Sequence, residues 1–130
     1  MVMPNILTGI RRAGPVQTLG AVAVNLNVLV YDNIAGRNAR ITKIAWRNNN
    51  AAPGVLRVGV GVAGAGAITD LIPPITIPAL LDGELDANNI PAFPTGQGAA
   101  ATHDIMAQAS VGAAAPNDVV VQVELEVFGA

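Results

Sequence analysis

Apolar and polar residues alternate with a period of two through most of this chain. The clearest case is residues 119–128, where Val119, Val121, Val123, Leu125 and Val127 share one face and Gln122, Glu124 and Glu126 the other. Residues 21–31 alternate in the same way, with Val22, Val24, Leu26, Val28 and Val30 opposite Ala21, Ala23, Asn25, Asn27, Leu29 and Tyr31. Both patterns predict half-buried strands. Residues 39–47 predict a further strand, with Ile44 and Trp46 on one face and Ile41, Lys43 and Arg47 on the other. In residues 55–63, Leu56, Val58, Val60 and Val62 oppose Arg57, Gly59, Gly61 and Ala63. That second face is nearly bare, and glycines in a strand suggest close approach of another backbone or sheet. A strand over residues 104–111 places Ile105, Ala107, Ala109 and Val111 together.

Between these strands the turn chemistry is dense. Residues 32–38, 48–54 and 114–118 carry the Asn, Asp, Gly and Pro residues that favour turns. From 64 to 98 the chain is rich in Pro and Gly, with short apolar pieces at 68–72, 75–81 and 84–90; Pro73, Pro74 and Pro78 forbid a regular helix and confine strands to edges or bulges. No segment repeats at 3.6 residues. Seven or eight short strands imply an all-β fold: a single β-sandwich, with a jelly roll as the preferred version. Residues 1–20, broken by Pro4, Gly9, Gly14, Pro15 and Gly20, read as an extended N-terminal arm, and residues 21–130 as the β-sandwich domain. The arm has too little periodic apolar content to form its own core, so the expectation is that removal of residues 1–14 leaves the domain folded and weakens association.

Composition narrows the function. At 130 residues one core is enough, and the chain is 52% hydrophobic but only 12% charged and 3% aromatic. Its surface is therefore largely neutral, which points towards contact with other subunits. The charges are segregated: all seven cations (Arg11, Arg12, Arg37, Arg40, Lys43, Arg47, Arg57) lie at or before position 57 with Asp32 as the only acid there, and every other acid follows without a cation. Either the two halves interleave as neighbouring strands, or a basic face docks on the acidic face of another copy. The candidate interface residues on that second reading are Arg40, Lys43, Arg47, Arg57, Gly59, Gly61 and Ala63.

The absence of cysteine excludes disulfides, thiolate nucleophiles and Cys-based metal sites. Arg11 and Arg12 precede a stretch too interrupted for a secretory signal, and no apolar run reaches the roughly 18 residues of a membrane span, so the expectation is a soluble protein. Residues 59–64 match G-x-G-x-x-G, but Gly66, Pro73, Pro74 and Pro78 follow where a dinucleotide site needs a helix. Asp82, Glu84, Asp86 and Asn88 alternate so that their oxygens would line one side, as Ca²⁺ prefers; a solvated acidic loop is the commoner reading, and no metal site is assigned. His103 is the only histidine, and Ser110, the only serine, lacks a nucleophile-elbow setting. Glu124 and Glu126, about 7 Å apart along a strand, fit the wet side of a sheet better than a glycosidase pair. The few aromatics (Tyr31, Trp46, Phe93, Phe128) argue against nucleic-acid stacking. No catalytic residue and no cofactor is expected.

A Gly/Ala/Val-rich β-domain with an extended arm, flat neutral strand faces and split charge resembles, over Pro15 to Phe128, the small jelly-roll subunits of viral and phage particles that form shells or decorate them as trimers. The resemblance implies symmetric homo-oligomers, arms that clasp neighbours, a larger capsid shell as partner and a place in the virion, and it carries no functional residue. The alternative is a carbohydrate- or ligand-binding β-sandwich, Ca²⁺-dependent if the acidic residues bind metal. A small β-barrel enzyme is disfavoured by the single His and the absent Cys.

Overall fold

The alternation at the C-terminal end becomes the central strand of one sheet, in which Val119, Val121, Val123 and Leu125 are fully buried and Gln122 is exposed. A computed structural model of the chain describes residues 10–13, 17–18, 25–32, 37–86, 104–110 and 119–129. The described strands are β1 (Ile10–Ala13), β2 (Gln17–Thr18), β3 (Val28–Tyr31), β4 (Arg37–Asn48), β5 (Gly54–Gly61), β6 (Ile68–Asp70), β7 (Ile75–Ile77), β8 (Asp82–Asp86), β9 (Ile105–Ala109) and β10 (Val119–Gly129), and no described residue is helical.

The strands form two antiparallel sheets. One has the order β1-β10-β4-β8 with β2 also on β10; the other has the order β3-β9-β5-β6 with β7 also on β5. The pairs β1·β10, β3·β9, β4·β8 and β5 with β6 and β7 are nested, the outermost joining the two ends of the chain. A long two-stranded ribbon rolled so that its successive pairs fall in alternate sheets is a jelly roll. The segment read as an arm thus supplies two short strands, both laid against β10.

Between the sheets lies one core, containing Ile41, Ile44, Leu56, Val58, Ile77, Ile105 and Leu125 among others. Each of the fully buried large residues contributes about 1.5–3 kcal/mol relative to exposure. Both faces of β9 are buried, so Met106 and Gln108 are covered as well as Ile105, Ala107 and Ala109.

Several expectations from the pattern are corrected. Ile41 does not share the outer face with Lys43 and Arg47. The β4–β10 register pairs Glu124 with Lys43 but Leu125 with Ile41, leaving Thr42 as an extra, bulged residue. The bulge reverses the alternation, so Ile41 and Ile44 are both buried, and the Thr42 hydroxyl donates to the Glu124 carbonyl at 3.1 Å. A second register shift falls between Leu29 and Tyr31, and Val30 is buried while Leu29 is exposed, as the alternation has it. Residues 25–27 are not strand: Asn25 adopts a left-handed φ of 63° and Asn27 is buried. Val62, expected to face inward, leaves β5 and is 71% exposed. The pieces at 68–72 and 75–81 shorten to β6 and β7, and residues 21–24, 87–90 and 111 of the expected strands lie outside the described residues.

Candidate functional site

The outward face of the β1-β10-β4-β8 sheet collects most of the charge. Glu126 is registered opposite Arg11 on β1 and Arg40 on β4. Lys43 stands between Glu124 on β10 and Asp86 on β8, and Arg47 opposite Asp82. Glu84 reaches diagonally to Lys43, with Nζ to Oε2 at 3.2 Å, and Arg47 Nε donates to Asn49 Oδ1 at 2.9 Å. The segregated halves therefore interleave as neighbouring strands of one domain, and the cations Arg40, Lys43 and Arg47 are flanked by acids of their own chain.

The same register answers the Ca²⁺ question. Asp82, Glu84 and Asp86 belong to an edge strand rather than a loop, while Asn88 lies outside the described residues. Successive outward positions on a strand are about 7 Å apart, too far for one ion to bridge all three. Among the described residues no three His, Asp or Glu side chains converge as a metal site.

On the second sheet Arg57 forks onto Asp70, Nε to Oδ1 at 2.9 Å and Nη2 to Oδ2 at 3.0 Å. The hydrogen bond to Asp70 raises the guanidinium pKa above its ordinary value. Gly59 is buried beneath this pair, and a Cβ there would run into the Thr69 carbonyl of β6. Gly61 is covered by the Asn27 carboxamide and the Ala67 carbonyl. The backbone that approaches these glycines is the chain's own, which leaves Gly59 out of reach of a neighbour; Ala63 stands exposed in the following turn, with Gly64 at φ 80°. The G-x-G-x-x-G stretch is thus strand and turn, not the start of a helix.

Sequence reasoning missed a polar hub beside Gly61. Asn27 Nδ2 donates to the Val62 carbonyl at 3.0 Å and the Ala67 carbonyl at 2.7 Å. Gln108 Nε2 donates to Asn27 Oδ1 at 3.0 Å and to the Gly66 carbonyl at 2.9 Å. The signal was available in Asn25 and Asn27, which interrupt an otherwise apolar alternation.

Two apolar features reach solvent. An open groove of about 620 Å³ is lined by Leu29, Val60, Val62 and Met106, with Thr69 and Asp104 at its polar margin. In the turn before β8, Leu80 has a left-handed φ of 56°, and Leu80 and Leu81 are 56% and 54% exposed. The turn is clamped by the buried Asn48, whose Nδ2 donates to the Ala52, Ile77 and Pro78 carbonyls, and by the Leu80 N–H donating to the Asn50 carbonyl at 3.0 Å. Ser110 pins a strand end, its Oγ accepting from the Val55 N–H at 2.8 Å, and His103 lies outside the described residues.

No protein-family model matches the sequence, and no curated protein matches it. Among solved structures, tobacco streak virus coat protein in dimeric form aligns with a TM-score of 0.49 at 8% identity, covering 100% of this chain and 91% of that one. The vertex protein of PRD1 aligns at 0.43 and 9% identity, covering 92% and 73%. The capsid of cyanophage Pam1 aligns at 0.40 and 14% identity, covering 95% and 87%. All three are described as coat, vertex or capsid proteins.

Proposed function

We infer that this chain is a structural subunit of a virion, forming or decorating a shell through contacts between copies of itself, with a closed trimer as the expected unit. It acts by contact and not by catalysis. The observation that carries this reading is where the chain spends its charge and where it leaves its leucines. Lys43 pairs with Glu84 and Arg57 with Asp70, and the strand register sets Arg11 and Arg40 opposite Glu126 and Arg47 opposite Asp82 within the domain. Leu29, Val55, Val62, Leu80 and Leu81 meanwhile stay exposed. A surface low in unmatched charge and studded with large apolar side chains suits burial against other copies.

Light scattering coupled to size exclusion at micromolar concentration tests the reading. A defined closed oligomer supports it. A monodisperse monomer of 13.2 kDa overturns it and puts the ligand-binding sandwich first.

A further inference from the structure

The strands of the charged sheet alternate in sign as well as in direction. β1 carries Arg11 and Arg12, β10 carries Glu124 and Glu126, β4 carries Arg37, Arg40, Lys43 and Arg47, and β8 carries Asp82, Glu84 and Asp86. Read across the sheet, the order is positive, negative, positive, negative. Every neighbouring pair is antiparallel. The two outermost strands are therefore opposite in charge, and among the described residues neither β1 nor β8 pairs along its second edge.

We propose that the β8 edge of one copy docks against the β1 edge of a second copy, extending this sheet head to tail around a closed ring. This rests on the homo-oligomeric reading above and specifies its contact. Adding β1 of the next copy beside β8 continues both alternations, since a positive strand follows a negative one and runs antiparallel to it. The two strands are matched in length, at 5 and 4 residues. A two-fold contact of β8 with β8 would set the acids Asp82, Glu84 and Asp86 of one copy against those of the other, and β1 with β1 would bring the two Arg11 positions together; like charges facing across a strand pair are destabilising. The charge order thus selects a heterologous contact over an isologous one, and a heterologous contact that closes makes a ring in which no such edge remains open. The clamped turn bearing Leu80 and Leu81 leads directly into β8, so the same contact brings their exposed side chains to the subunit boundary.

The absence of cysteine allows a direct test. Glu84→Cys and Arg11→Cys are introduced in separate full-length chains, one carrying a mass tag, and each is checked for β circular dichroism and for its mass by light scattering. Neighbouring strands hold their Cα atoms about 4.5–5.5 Å apart, within reach of a disulfide or a short bismaleimide. The expected result is a cross-linked species joining the two different chains in the mixture, with little or none in either variant alone. The doubly substituted chain should give a ladder ending at the ring number. Cross-linking of Glu84→Cys to itself, or of Arg11→Cys to itself, in a protein that remains oligomeric overturns this contact while leaving the oligomer intact. The same holds for an oligomer that gives no cross-link between positions 84 and 11. A wild-type monomer overturns the functional reading first.

Discussion

The indole of Trp46 lies over Gly83 on the neighbouring strand, so close that a Cβ on residue 83 would sit 2.5 Å from the indole Cζ2. An aromatic ring covering a glycine on an edge strand supplies the packing that the glycine lacks. Alanine ordinarily gains about 0.5–1 kcal/mol over glycine within a strand. Here the overlap with a ring already packed against the core should outweigh that gain, at about 1–3 kcal/mol. We expect Gly83→Ala to lower the urea midpoint and to shift the emission of Trp46, the only tryptophan. An unchanged or raised midpoint would contradict the packing.

Asn27 and Gln108 form a single buried unit, joined to each other and each satisfying loop carbonyls. Removing the Asn27 carboxamide takes the side-chain donor from the Ala67 carbonyl and an acceptor from the buried Gln108, while the Val62 carbonyl keeps the Ala65 N–H at 3.1 Å; a buried group left without a partner costs about 1–3 kcal/mol. Asn27→Ala should therefore destabilise by about 1–3 kcal/mol. Because Gln108 Nε2 donates to Asn27 Oδ1, the pair Asn27→Ala and Gln108→Ala should cost less than the sum of the single changes. Chemical denaturation of the four proteins of this cycle provides the measurement, and strict additivity would refute the coupling.

Leu80 holds a backbone conformation that costs an L-residue with a Cβ about 1–2 kcal/mol. Glycine escapes that cost and returns roughly 0.5–1 kcal/mol of it as chain entropy in the unfolded state. The balance favours the substitution, so Leu80→Gly should raise the melting temperature of the subunit while weakening its association with other copies. Thermal melts and light scattering read the two effects separately. A fall in both would mean that the leucine side chain stabilises the fold instead.

Chelation should do nothing to this protein. With Asp82, Glu84 and Asp86 spread along a strand beside Lys43 and Arg47, an excess of EDTA should leave the melting temperature unchanged, whereas a metal held by the folded state alone would be missed by several degrees.

The elements most legible in the sequence were those whose alternation runs unbroken. β10 has one face in the core and one in water, so its period of two translates directly into Val119, Val121, Val123 and Leu125 inside. In β4 the same reading failed at a single point, because Thr42 inserts one extra residue and a bulge leaves no mark in the apolar pattern. Asp82, Glu84 and Asp86 did alternate, but the surrounding prolines and glycines made a loop the natural interpretation; what turns them into strand is pairing with β4, far away in sequence. The bare face of Gly59 and Gly61 was read correctly as the sign of an approaching backbone. Whose backbone it was depended on the fold of β6 and Asn27, which local spacing does not encode.

The nesting of the ribbon also orders events in time. Ile10 pairs with Val127 and Ala13 with Glu124, so the first of the described strands waits for the last of them before its ladder can form. Closing such distant contacts carries the largest loop entropy in the chain and slows folding relative to folds built from neighbours. Until β10 is available, β1 lacks its partner and β4 has only β8. The sheet whose edges are proposed to join subunits therefore cannot be completed without β10, and a chain cut short before Val119 has no finished surface to offer. Assembly through those edges is held back until β10 has joined the sheet, by topology alone.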